Sequence, residues 1–116
     1  MTRIILAVAA LLAPSLAAAQ AMPQLSLDQR MLLRCSAAFA LVAEGQANGN
    51  EEAQRFPDMN ERGREFFVRA SAQVMDEAGL DREQIAAALS AEAQDIWDKG
   101  TLGEVMPVCL AMLPAE

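Results

Sequence analysis

Histidine and tyrosine are absent from this chain of 116 residues, and its aromatic side chains are four phenylalanines and one tryptophan. The lack of histidine excludes Ser–His and Cys–His catalytic dyads, histidine-ligated zinc and the attachment motif of c-type haem. β-Branched residues are also few, whereas alanine, the strongest helix former, is abundant. The composition therefore predicts an all-α protein with one domain.

Long apolar runs are missing beyond the first part of the chain. Residues 1–21 begin with a basic side chain, continue with an apolar run over 4–13 and end in small residues, as a cleavable secretory signal does. The run is about half of the roughly 20 residues that a membrane span needs, so an uncleaved anchor is the weaker alternative. Cleavage fits after Ala19 or Ala21, and we favour Ala21. We expect a single helical domain over 22–116, periplasmic or secreted and not held at a membrane.

The predicted domain carries an excess of acidic side chains. It holds eight basic and sixteen acidic residues, a net charge of about −8. Such a charge repels nucleic acid and anionic lipid, so we expect neither as a partner. A solvated acidic surface is the simplest interpretation, and a basic protein partner is the alternative. The oligomeric state stays open.

Cys35 and Cys109 are the two cysteines of the chain. In an exported protein two distant cysteines most simply form a disulfide, and their spacing excludes a C-x-x-C redox motif. The bond would close a loop of about 75 residues, which is worth roughly 4 kcal/mol in the chain-entropy treatment.

Capping signals and apolar periodicity predict three long helices. Their capping boxes start at Ser26, Asp58 and Asp81, and the helices are expected over 27–46, 59–78 and 82–99. Gly79 should end the second of them in a left-handed conformation. A short helical turn is expected over 51–56, because Pro57 follows.

The last helix is limited by Pro107, which is tolerated in the first turn of a helix. We place its main part over 106–113, with an earlier start near Thr101 and a kink as the alternative. The sequence thus predicts a small bundle of three to four helices, closed by one disulfide between the first and last helices.

Three patterns that could carry chemistry have simpler explanations. Segment 58–63 resembles the start of an EF-hand, but arginines occupy two positions where the loop needs oxygen ligands, so Asp58 is interpreted as a helix cap. Acid pairs on the helices fit a solvated surface better than acid–base catalysis. Met106 and Met112 are near each other, but core packing is favoured over copper ligation. We predict no catalytic, cofactor-binding or metal-binding residue and no enzyme activity.

The second long helix carries a group of arginines, Arg62, Arg64 and Arg69. They could bind an anionic ligand or an acidic patch on a partner. Local pairing is the simpler interpretation, because Asp58 and Glu65 each precede an arginine by four residues.

The aromatic residues of the predicted helices mark the other part of a candidate interaction surface. Phe66 and Phe67 are adjacent, so one ring must turn away from the main apolar stripe. An exposed ring would mark a contact surface, and packing against segment 47–57 is the simpler interpretation. Trp97 is likewise interpreted as a core residue, with a surface anchor as the alternative. The candidate interaction surface is therefore Arg62, Phe66, Phe67, Arg69 and Trp97.

Four segments together resemble a group of small exported helical proteins of alphaproteobacteria. They are 34–39 (RCSAAF), 62–67 (RGREFF), 79–82 (GLDR) and 105–110 (VMPVCL). The resemblance covers nearly all of 22–116 and implies no activity and no site residues. In plan alone, the protein is also similar to periplasmic acid-stress chaperones of the HdeA type, which are short, helical and closed by one disulfide.

Two functions follow as hypotheses. The first is a periplasmic or secreted binding module that acts on an unknown protein partner through an apolar helix surface. The alternative is an acid-stress chaperone, since neutralising sixteen carboxylates would leave a net charge near +8. A small enzyme is the least favoured.

Overall fold

Five helices follow one another along residues 23–115, the part of the chain that the computed structural model describes. This part contains no strand, so the predicted all-α class is confirmed. None of its helices combines the length and the apolar character needed to cross a membrane. The predicted signal peptide over 1–21 lies outside the described residues. The helices are α1 (Leu27–Ala47), α2 (Glu51–Gln54), α3 (Arg62–Ala78), α4 (Arg82–Lys99) and α5 (Leu102–Leu110).

Helix α1 is the central element of the bundle. It contacts each of the four other described helices, and α4 also contacts α3 and α5. Cys35 of α1 is bonded to Cys109 of α5, with Cα atoms 5.1 Å apart, which confirms the predicted disulfide between the first and last helices. Both cysteines are fully buried. The bond therefore crosses the core and fixes α5 against the middle of α1.

Most helix ends form as predicted. Ser26 and Asp81 begin α1 and α4 with complete capping boxes, in which each side chain accepts a hydrogen bond from the N–H of the third helical residue. Gly79 ends α3 in the left-handed region at φ 67°. The N–H of Leu80 donates to the Met75 carbonyl, and Leu80 is buried, as in a Schellman ending. The predicted turn over 51–56 is also confirmed, since α2 occupies its first part.

Helix α3 begins three residues later than predicted. It starts at Arg62 rather than at Met59, and no described side chain caps its first turn. The Asp58 carboxylate instead accepts a hydrogen bond from the Asn60 N–H at 2.9 Å. Met59 is fully buried, and its N–H donates to Gln46 Oε1. The predicted capping box at Asp58 is therefore wrong, because Met59 serves as a core residue of the preceding loop.

Helix α5 starts earlier than the span over 106–113, as in the alternative with a start near Thr101. It begins at Leu102, ends at Leu110 and contains Pro107, so the predicted span over 106–113 is wrong. Pro107 lacks an N–H and leaves the Gly103 carbonyl without its helical partner. Gly103 is exposed, so water can satisfy that carbonyl. The chain then leaves the helix in hydrogen-bonded turns, with the Leu113 N–H donating to the Leu110 carbonyl.

The buried apolar side chains of the described residues form two clusters. The larger cluster surrounds the disulfide and joins all five helices and the loop before α3. Its largest fully buried members are Phe39, Met59, Ile96 and Met106. The smaller cluster packs the start of α1 against α3 and α4, and consists of Leu33, Val74, Leu80, Ile85 and Ala88.

Gln46 fastens the loop after α1. Its Nε2 lies 3.0, 3.2 and 2.9 Å from the carbonyl oxygens of Ala53, Phe56 and Pro57, and its Oε1 accepts from the Met59 N–H at 3.0 Å. One side chain thereby satisfies backbone groups that no helix or sheet supplies with partners.

Gly45 allows α2 to approach α1 closely. A Cβ atom at this position would lie 2.7 Å from the Cβ atom of Ala53, a separation that real β-carbons essentially never show. Ala53 is buried. Gly45 lowers the helix propensity of α1, and the close packing of α2 explains why a residue without a side chain stands there.

Candidate functional site

A groove lies between α3 and the segment 111–115 that follows α5. Helices α3 and α5 are not in contact among the described helices, although both pack on α1. The groove between α3 and this segment has a volume of about 530 Å³, within the range of roughly 300–1,000 Å³ that ligand pockets have. Its described apolar lining consists of Leu32, Phe66, Ala70, Met112, Leu113, Pro114 and Ala115.

The wall formed by segment 111–115 is held in place at two points. The Arg62 guanidinium donates a hydrogen bond from Nη2 to the Pro114 carbonyl at 2.9 Å. Met112 Sδ lies 3.5 Å from Cys35 Sγ, which carries no hydrogen in the disulfide and so makes a packing contact. Arg62 therefore belongs to the structure of the wall, and the wall depends on the disulfide beneath it.

Phe66 connects the groove with the core. Its ring meets the fully buried ring of Phe39 edge to face, with centroids 5.1 Å apart and planes at 83°. Such pairs contribute about 0.5–1.5 kcal/mol beyond the burial of their area. Phe66 is half-buried and also lines the groove. Its position is therefore fixed from inside while part of the side chain remains available to a ligand.

Arg69 and Glu65 stand at the rim of the groove. The Arg69 Nη2 atom lies 3.6 Å from Glu65 Oε2, and both side chains are 69% exposed. An exposed pair of this kind contributes about 0–1 kcal/mol, so it opposes a competing ligand only weakly. Of the described side chains that line the groove, two are arginines and one is a glutamate. The described rim of the groove thus carries side chains of both charges.

The chain matches no known family model, no curated protein and no solved structure. The resemblance to exported alphaproteobacterial proteins stays a prediction. Function is therefore inferred from the chemistry of the groove itself.

Three of the five residues predicted for an interaction surface meet in the groove. Arg62, Phe66 and Arg69 recur at intervals of four and three along α3 and line the same side of the helix. The third arginine, Arg64, lies outside the groove and lines a smaller cavity beside Phe67. Local pairing is confirmed for Arg69, which pairs with Glu65. Asp58, the predicted partner of Arg62, accepts a hydrogen bond from the Asn60 N–H.

Phe67 and Trp97 lie away from the groove. Phe67 is half-buried beside Ala40 and Ala43 of α1. Trp97 is 74% exposed on α4, next to a cavity that Leu41 also lines. The interpretation of Trp97 as a core residue is wrong, because Ile96 takes the inward position and turns the next residue outward. The structure therefore divides the predicted surface among three places.

The groove residues that the sequence does not indicate as a site belong to α1 and to segment 111–115. Leu32 belongs to the apolar face of α1, and the sequence favours core packing over copper ligation for Met112. Leu113 lies beyond the end of α5 and not inside the predicted helix. Met106, the neighbour considered with Met112, is fully buried in the core. The described residues contain no group of three or more Cys, Asp or Glu side chains arranged to hold a metal ion.

An ion-pair network joins α1 to α4 outside the groove. Arg34 Nη1 lies 3.0 Å from both Glu92 Oε2 and Asp95 Oδ2, and Lys99 Nζ lies 2.7 Å from Asp95 Oδ1. The hydrogen bonds from Lys99 and Arg34 lower the pKa of Asp95. Burial alone would lower the pKa of Arg34, but its hydrogen bonds to Asp95 and Glu92 outweigh burial and raise it. The network is therefore charged at neutral pH and ties the two helices together.

Proposed function

We propose that the protein is an exported, non-catalytic binding module and that its binding site is the groove between α3 and segment 111–115. The observation that carries this proposal is a groove of about 530 Å³ with an apolar lining and a charged rim. Pockets that hold ligands share this combination of apolar walls and a few polar groups that set orientation. Among the described lining residues the carboxylate is that of Glu65, which is exposed and paired with Arg69, and this suits recognition better than acid–base catalysis.

Two observations support the export of the protein. The pattern of residues 1–21 is typical of a secretory signal. The Cys35–Cys109 disulfide is of a kind that persists in oxidising compartments and is rare in the cytosol. Both favour the periplasm or the exterior of the cell as the place where the groove operates.

The binding proposal is tested with the oxidised protein purified after export and a neutral dye, Nile red, whose emission rises in apolar surroundings. We expect saturable binding by the native protein at neutral pH. Gln73 and Ala72 are adjacent exposed residues of α3, and Gln73 lines the groove whereas Ala72 is not among its lining residues. Gln73→Trp should therefore weaken binding at least tenfold, and Ala72→Trp should leave it unchanged. Equal binding by the two variants, or no saturable binding by the native protein, would overturn the proposal.

A second function, an acid-stress chaperone, is favoured by the α1–α4 network. The lowered pKa of Asp95 means that its charged form stabilises the fold. This contribution is complete above the ordinary pKa of 3.8 and is lost as the pH falls through the lower folded value. Acid would therefore weaken the attachment of α4 to α1 while the disulfide keeps α5 in place.

The chaperone proposal is tested below about pH 4, with the disulfide intact. We expect binding of a dye that reports exposed apolar surface, together with protection of an acid-denatured client protein from aggregation. The same protein at neutral pH is the control and should show neither effect. If acid produces neither dye binding nor client protection, the protein is not such a chaperone.

A further inference from the structure

We propose that Met112 is an oxidation site, and that a peroxide which converts its thioether to the sulfoxide weakens binding in the groove. This inference rests on the proposed binding function and adds a regulation of the same groove. Two features of Met112 carry it, namely its exposure compared with the other described methionines and its contact with the disulfide.

The exposure of the methionines selects Met112 for oxidation, because attack by a peroxide requires access to the side chain. Met112 is 38% exposed, whereas Met59 and Met106 are fully buried in the larger core cluster. The other described methionines, Met31 and Met75, are half-buried and pack against the two clusters. Within residues 23–115, Met112 is therefore the methionine that a peroxide reaches most readily.

The reaction needs a peroxide and no other co-reactant. The thioether sulfur attacks one oxygen of hydrogen peroxide, so that an S–O bond forms and the O–O bond breaks. The sulfur loses an electron pair, and the peroxide is reduced by it. The transferred hydroxyl gives its proton to the departing hydroxide, which leaves as water. The product is a sulfoxide, a polar side chain in place of a flexible apolar one.

The contact with the disulfide fixes Met112 in the wall of the groove. Its Sδ atom lies 3.5 Å from Cys35 Sγ, and its backbone N–H donates to the Cys109 carbonyl at 3.0 Å. The same side chain lines the groove. Cys35 is fully buried, and its sulfur carries no hydrogen in the disulfide, so it offers no donor to a sulfoxide oxygen.

A sulfoxide at this position makes the wall less suited to an apolar ligand. A polar oxygen without a hydrogen-bond partner is costly in apolar surroundings, so it cannot stay against the disulfide. If the oxygen turns into the groove, the lining becomes polar there. If the side chain turns out to water, the wall loses its contact with Cys35. Both positions lower the affinity of the groove for an apolar ligand.

The test combines mass spectrometry with Nile red binding, using the disulfide-bonded protein purified after export. Hydrogen peroxide is added at neutral pH and is removed before the dye is added. Tandem mass spectrometry locates each added oxygen atom. We expect Met112 to be oxidised at least about tenfold faster than Met59 and Met106. The affinity for Nile red should fall about fivefold as the Met112 sulfoxide accumulates.

Two variants separate Met112 from the other methionines. Met112→Leu keeps an apolar side chain of similar volume without the sulfur. It should bind Nile red as the native protein does and keep that affinity after peroxide treatment. Met31→Leu is the matched control, because Met31 lines a different cavity. It should lose affinity on treatment as the native protein does, and circular dichroism should show that every sample is folded.

The possible failures are distinguishable. Oxidation of Met112 no faster than that of the buried methionines would show that it is not the oxidation site. If Met112 is oxidised but the affinity for Nile red does not change, the regulation is wrong, whereas the groove still binds apolar ligands. The same holds if Met112→Leu loses affinity on treatment as the native protein does. If the untreated native protein does not bind the dye, the proposed function itself fails, and the regulation fails with it.

Discussion

Reduction of the Cys35–Cys109 bond is expected to lower the free energy of unfolding by about 4.5 kcal/mol. The two cysteines are 74 positions apart. The bond therefore closes a loop of about 75 residues, and the chain-entropy relation assigns about 4.5 kcal/mol to a loop of that length. Domains of this size are stable by about 5–15 kcal/mol in total. We expect the reduced protein to retain only part of its stability, with the largest loss at α5 and the wall of the groove.

Urea unfolding followed by far-UV circular dichroism measures this loss. Trp97 fluorescence is a poor probe, because the side chain is already exposed in the folded protein. The variant Cys35→Ala/Cys109→Ala is the matched comparison. It lacks the sulfur atoms as well as the bond, so its difference from the reduced protein measures packing alone. A loss below about 1 kcal/mol on reduction would refute the chain-entropy reasoning for this fold.

Three further predictions concern the helix contacts. Gly45→Ala should lower the urea midpoint, because overpacking against α2 costs about 1–3 kcal/mol and exceeds the gain in helix propensity. Gly103 has open space around it, so the control Gly103→Ala should raise the free energy of unfolding by up to about 1 kcal/mol. Gln46→Ala should cost about 1–3 kcal/mol, because it removes the hydrogen bonds of the Phe56 and Pro57 carbonyls and of the Met59 N–H. Gln54→Ala, which removes one exposed hydrogen bond, should cost less, and equal losses would contradict the role given to Gln46. Asp95→Asn should destabilise the protein at about pH 7, and the difference should shrink as the pH falls below 3.8 and through the lowered pKa of Asp95. A difference that does not shrink in acid would contradict the ionic explanation.

Local signals in the sequence were enough to predict α1 and α4. Each has a side chain that accepts from a backbone N–H three residues ahead and a residue that reaches back, starting at Ser26 and Asp81. These interactions involve neighbours in the chain and form whenever the helix forms. The end of α3 at Gly79 is local for the same reason, since the left-handed conformation suits glycine.

The start of α3 could not be predicted from the same kind of signal. Segment 58–61 has the residues of a capping box, but tertiary contacts decide its conformation. Met59 is buried in the core, and its N–H donates a hydrogen bond to the Gln46 side chain of α1. A partner 13 residues away is invisible to a search for local caps. Helix α5 extends on both sides of Pro107, because the cost of the proline is reduced at an exposed surface, where water replaces the lost partner.

The same distinction divides the candidate site. The face of α3 that carries Arg62, Phe66 and Arg69 follows from helical spacing, so the sequence indicated these residues together. Trp97 fits the apolar stripe nearly as well as Ile96 does, so the pattern favours a core position for it and leaves a surface anchor as the alternative. In the structure Ile96 is buried in the core, and the larger Trp97 ring is exposed.

The opposite wall of the groove has no periodic signal at all. Segment 111–115 leaves α5 in turns, and its place depends on a bond to Cys35 of α1 and on one hydrogen bond from Arg62 to the Pro114 carbonyl. A cross-link between residues 74 positions apart therefore decides whether the arginines of α3 border a groove or an open surface. The polar and aromatic side chains of the site follow from the local sequence of α3. The shape of the groove depends on contacts between residues that are distant in the chain. Loss of the disulfide should accordingly weaken the binding of any ligand that the groove accepts.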